Sequence, residues 1–157
     1  MTILGESPKS ITILMADDDS DDRLLVREAL ENVDIPHQLD VVTDGEMLMD
    51  YLYRRGSYQH LQNAALPSLI LLDLKMPKKT GMEALKEIKA DPHLRRIPIV
   101  ILTTSETEGD VYKSYDIGAS SYITKSVTLT SLVEAVEEIG RYWLEIVELP
   151  PDSIKRS

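Results

Sequence analysis

Three apolar runs stop abruptly at residues whose side chains carry oxygen: I-T-I-L-M-A (11–16) before Asp17, S-L-I-L-L-D (68–73) on Asp73 and I-P-I-V-I-L-T (97–103) on Thr103. Each is too short for a buried helix and too continuous for a strand with one wet face, so each reads as a strand covered on both sides. His37–Val42 and Ser121–Thr124 supply two further strands. Between the strands the apolar spacing changes to three and four. Leu25, Val26, Ala29, Leu30 and Val33 mark a helix over 19–33. Met47, Leu48, Tyr51 and Leu52 mark one over 46–54, after a turn at Asp44-Gly45. Helices are also expected over 82–90, 106–115 and 129–147, whereas 55–67 has no clear period. Strands alternating with helices imply βαβ units, hence an α/β fold with a parallel sheet, helices on both faces and right-handed crossovers.

A chain of 157 residues sits near the length of one domain and can bury a full core without metal or disulfide staples. It contains no cysteine, which removes disulfides, thiol nucleophiles and thiolate metal sites from consideration. A net charge of −10 works against binding a polyanion, and no basic patch reverses it. No basic-then-apolar leader opens the sequence, and apolar residues nowhere run on for the length of a membrane span. A cytoplasmic, membrane-free protein is the expectation.

Ligands of open parallel sheets sit beyond the carboxyl ends of the strands. Those ends carry Asp17-Asp18, Asp73, Thr103 and, after the short fifth strand, Lys125. With carboxylates about 5 Å apart in an effective dielectric near 20, each pair repels by roughly 3 kcal/mol, so three pairs approach the stability of a whole domain. The cluster therefore calls for a cation, and an all-oxygen set suits Mg²⁺ or Mn²⁺. That in turn suits phosphoryl chemistry, with the Asp73 carboxylate as nucleophile and Lys125 and Thr103 taking up charge on phosphoryl oxygens.

The acidic pair Asp17-Asp18, the segment D-L-K-M-P-K-K-T-G from Asp73, Thr103-Thr104 and Y-I-T-K ending at Lys125 resemble the CheY-like receiver domain of two-component response regulators. The resemblance implies a flavodoxin-like (βα)5 fold with strand order 2-1-3-4-5, a receiver over 11–147, and terminal extensions at 1–10 and 148–157. It implies that Asp73 accepts a phosphoryl group from a sensor histidine kinase. Asp17, Asp18, Asp73 and the Lys75 carbonyl would hold Mg²⁺, and Lys125 would contact the phosphoryl oxygens. Thr103 and Tyr122 would be the switch residues. Lys125-Ser126, Tyr142-Trp143-Leu144, Leu149-Pro150 and I-K-A-D-P-H-L-R-R-I-P (88–98) are similar to single-domain regulators paired with phytochrome-type kinases. Output would then be protein contact or phosphate relay, with no DNA-binding module.

Where most receivers have proline, Ser126 follows Lys125, and a trans bond is expected there because a non-prolyl cis bond costs about 2.5–4 kcal/mol. Thr80 precedes Gly81 in place of an acidic or amide residue, a change expected to affect the loop rather than the chemistry. Lys75 and Ser105 stand where the family tunes dephosphorylation. Asp19, Asp21 and Asp22 read as acids satisfying a helix N-terminus. A calcium loop starting at Asp17 fails because its sixth position is Asp22 instead of glycine. His37, His60 and His93 lack ligand spacing. In the last helix Leu132, Val136, Ile139 and Trp143 suffice for the core. The second line, Val133, Ala135, Tyr142 and Ile146, is an excess that points to a homodimer. A haloacid-dehalogenase-type phosphatase would need an acid where Lys75 stands, and a flavin binder would need a phosphate cradle the loops lack. A scaffold that is never phosphorylated remains the alternative.

Overall fold

The computed structural model describes residues 11–104, 108–125, 133–134 and 136–138. Five parallel strands, β1 (Ile11–Ala16), β2 (His37–Val42), β3 (Leu69–Leu72), β4 (Ile99–Thr103) and β5 (Ser121–Thr124), form one sheet in the order β2-β1-β3-β4-β5. Helices α1 (Ser20–Leu30), α2 (Gly45–Tyr53), α3 (Gly81–Ala90) and α4 (Glu108–Ile117) connect them.

Because successive strand residues point to opposite faces, the continuous apolar runs feed two cores at once. Leu14, Ala16, Ile70, Leu72, Ile99 and Ile101 pack with Leu48, Met49 and Leu52 of α2 and Ala84, Leu85 and Ile88 of α3. Ile11, Ile13, Met15, Leu69, Leu71, Val100 and Leu102 face the other way, against Val26 and Leu30 of α1 and against Val136. Residues 133–134 and 136–138 are helical, Val136 is fully buried, and Val133 is half-buried against the same core. Val133 was expected on the excess apolar line and instead packs inward. The remainder of the expected last helix, with Trp143 and the proposed dimer face, lies outside the described residues, as do Ser105 and Ser126.

Most expected elements occur with small shifts at their ends. The fourth strand begins at Ile99, although the Pro98 carbonyl already accepts from Ile70 N. Helix α1 closes at Leu30, after which Val33 N bonds the Leu30 carbonyl in a turn that keeps Val33 buried. Leu25 was expected on its buried face but is exposed, because the stripe of Val26, Ala29, Leu30 and Val33 fills the contact. Asp44-Gly45 is no free turn: Asp44 caps α2 through Met47 N and Gly45 is its first residue. The expected aperiodic stretch contains a 3-10 helix, Gly56–Leu61, with none of its residues buried. Tyr58 stacks edge-on to Tyr51, while Arg54 donates to the carbonyls of Tyr51 and Ala65. These tethers are side-chain contacts that leave no period in the sequence.

Candidate functional site

The sheet register brings the carboxyl ends together. Ala16 lies opposite Val42 and Leu72, Leu72 opposite Ile101, and Thr103 opposite Thr124. The first residues past the strands continue the ladder: Asp17 N bonds the Val42 carbonyl, Asp73 N the Ala16 carbonyl and Lys125 N the Thr103 carbonyl. Side chains far apart in sequence are thereby fixed by main-chain hydrogen bonds at one edge. Asp17, Asp18 and Asp73 each offer a carboxylate oxygen within 4.8 Å of the others; Asp17 and Asp73 are buried and Asp18 is exposed.

Their orientation is set locally. Asp17 Oδ1 accepts from Asp19 N at 2.9 Å, and Arg23 donates to the Asp17 carbonyl at 3.0 Å. Asp73 Oδ1 accepts from Lys75 N at 3.0 Å. The loop after Asp73 returns so closely that a Cβ on Gly81 would stand 2.0 Å from the Asp73 carbonyl oxygen. Lys78 takes a positive φ of 65°, and a Cβ on Gly45 would stand 2.0 Å from the Lys79 carbonyl oxygen. Two glycines thus let α2 and α3 clamp the loop that carries Asp73. Thr80 and Glu83 exchange hydrogen bonds as a capping box at the start of α3, in line with a role for Thr80 in the loop.

Lys125 Nζ reaches back over this edge, 2.8 Å from Asp17 Oδ2, 3.0 Å from Asp73 Oδ2 and 2.7 Å from Asp22 Oδ2. Burial opposes its charge, but the contacts with Asp17, Asp22 and Asp73 outweigh that penalty and hold the ammonium above its ordinary range. Burial raises the Asp17 carboxyl, against the pull of Lys125 and the Asp19 amide. Asp17 Oδ2 is buried, and its partner is the Lys125 ammonium at ion-pair distance. Four carboxylates gather here around the Lys125 ammonium, with the Arg23 guanidinium at the Asp17 carbonyl, so negative charge is in excess in this cluster. Buried carboxylates that share a single ammonium, beside an excess of hard anionic donors, fit a divalent cation.

A family model for the response regulator receiver domain matches residues 13–137. The chain belongs to the response regulator receiver family. This receiver is 45% identical over 145 residues to response regulator Rcp1 of Synechocystis sp., spanning 92% of its own length and 97% of that protein. It is similar to the phosphorylated cyanobacterial phytochrome response regulator RcpA, with a TM-score of 0.76 and 45% identity, covering 90% of this chain and 99% of that one. The Mn²⁺-bound form of Rcp1 gives a TM-score of 0.75 at 45% identity over 89% of this chain and 99% of that one. Receivers are signalling proteins, and the Asp cluster here matches a family that takes a divalent cation.

In this receiver the expected residues Asp17, Asp18, Asp73 and Lys125 do meet. Thr103 is fully buried at the end of β4, and Thr104 is exposed. Lys75 is exposed and contributes its amide to Asp73. Tyr122 is half-buried against the core on the α2 and α3 side. Asp19 is the N-cap of α1, accepting from the amides of both Asp21 and Asp22. Asp22 departs from its reading as a helix-end acid, since its side chain binds Lys125. The signal lay in spacing: Asp22 stands four, seven and eight residues before Val26, Ala29 and Leu30, on the stripe that faces the sheet. Of the histidines, His60 and His93 are exposed and His37 bonds the Ile35 carbonyl.

Proposed function

We propose that Asp73 accepts a phosphoryl group from a phosphohistidine on a sensor histidine kinase. The observation that carries this reading is Lys125 Nζ, held 3.0 Å from the Asp73 carboxylate at the edge where Asp17 and Asp18 also converge. An Asp73 carboxylate oxygen attacks phosphorus as the P–N bond breaks, and the bonding pair returns to the imidazole nitrogen. Lys125 donates to a phosphoryl oxygen, the Thr103 hydroxyl takes up a second, and the clamped loop keeps the Asp73 carboxyl in line. Asp17, Asp18, Asp73 and the Lys75 carbonyl would hold Mg²⁺, with Mn²⁺ an alternative occupant. Bound there, the cation neutralises charge on the transferring group. The receiver runs over 11–147 and catalyses only its own phosphorylation and dephosphorylation.

Drawing Thr103 toward the phosphoryl group and Tyr122 inward behind it would reshape the surface of α4, β5 and the last helix. The output is protein contact in the cytoplasm, with a second copy as one partner through that last helix. The likeness to the phytochrome response regulator RcpA supports a phytochrome-type kinase as the donor. A kinase core of that type, radiolabelled on its histidine, should pass label to the wild-type chain within minutes in Mg²⁺ and pass none to Asp73→Asn. Label retained on the kinase in both mixtures would remove the pairing.

A further inference from the structure

Lys125 is shared among three carboxylates, and only Asp22 lies outside the trio that can hold a cation. Asp22 comes from the first turn of α1, and its carboxylate is directed to Lys125 while Asp19 accepts from the Asp21 and Asp22 amides at the helix end. The Asp22–Lys125 contact is the shortest of the three, at 2.7 Å, and it is a hydrogen bond between residues 103 positions apart in the chain. The Lys125 side chain is 12% exposed and that of Asp22 28%, so water screens the pair only in part.

The reaction removes the other two partners. Cation binding would draw Asp17 to the metal, and phosphorylation would turn the Asp73 carboxylate into an acyl phosphate with its charge on the phosphoryl oxygens. Asp22, outside the trio and not phosphorylated, would be left as a carboxylate for the ammonium throughout. An ammonium has three N–H donors on a flexible four-carbon stem. One donor anchored on Asp22 leaves two for phosphoryl oxygens. We infer that Asp22 is a positioning residue, a tether that fixes the Lys125 ammonium at the phosphoryl site in every state of the cycle. The inference rests on phosphoryl acceptance at Asp73.

The test uses Asp22→Asn, which keeps the shape and removes the charge, with Asp22→Glu as the conservative return of it. At saturating Mg²⁺ the initial rate of phosphorylation by acetyl phosphate should fall about tenfold in Asp22→Asn, the size of one charge-assisted hydrogen bond, and recover in part in Asp22→Glu. In a Lys125→Ala background Asp22→Asn should have no further effect. An equal loss in both backgrounds, or an unchanged rate in Asp22→Asn beside an active wild type, overturns the inference. Wild type that takes no phosphate sinks the reading of Asp73 instead. The tether is then decided by nuclear magnetic resonance on the unphosphorylated chain. In saturating Mg²⁺ the Lys125 ammonium protons should exchange more slowly in wild type than in Asp22→Asn, and equal exchange in the two overturns the tether.

Discussion

Asp17 and Asp73 are buried carboxylates whose ion partner, in the absence of a metal, is Lys125. Removing one member of a buried pair strands the other, at about 3–5 kcal/mol. Lys125→Met should therefore unfold in urea with a loss of roughly 3 kcal/mol without divalent ions, and Mg²⁺ should restore most of that loss, since it supplies the missing positive charge. A substitution that is neutral without metal would mean the ammonium is not what balances the cluster. Asp17 adds a pH dependence with a definite sign. Burial raises its carboxyl in the folded chain, so its contribution to stability is fully present below the unfolded value and is lost as pH rises through the folded one. The cation needs the ionised form, so Mg²⁺ affinity measured by calorimetry should weaken as pH falls through this raised value, before an ordinary aspartate titrates. Affinity that stays flat down to the ordinary aspartate range contradicts this.

At the scale of elements, the two glycine environments predict opposite signs for one substitution. A methyl at Gly81 would collide with the Asp73 carbonyl and Leu74, whereas one at Gly109 in α4 meets nothing within 4 Å. Gly81→Ala should cost about 2–3 kcal/mol and slow phosphorylation through the displaced loop. Gly109→Ala should stabilise by roughly 0.5–1 kcal/mol through helix propensity and chain entropy. Thermal denaturation of both variants reads the signs, and equal effects would mean the clamp yields without cost. The inner strands β1, β3 and β4 were legible because a doubly covered strand writes an unbroken apolar run; the edge strands β2 and β5 are mixed runs, yet they and β1 occur with the bounds read from sequence. The 3-10 helix was not, since nothing in it is buried and its anchors, Arg54 and Tyr58, are side-chain contacts. Asp22 was hidden for another reason: acids in a first helical turn are ordinary, and only its register with Val26 set it apart.

Across the whole molecule, a sheet covered on both faces leaves its carboxyl edge as the place where polar side chains can gather without breaking a core. Asp17, Asp73, Thr103 and Lys125 could be foreseen at that edge because each follows or ends a strand, and parallel pairing aligns those ends. The bonding that orients them, from Asp19 N to Asp17 and from Lys75 N to Asp73, depends on loop conformations that apolar spacing does not encode. The most direct test of phosphoryl acceptance is intact mass after incubation with acetyl phosphate and Mg²⁺, run beside Asp73→Asn and repeated with EDTA. One added phosphoryl group that requires both Asp73 and the metal is the expected result. A chain that gains no mass under any condition, or one that gains it equally in Asp73→Asn, contradicts Asp73 as the acceptor.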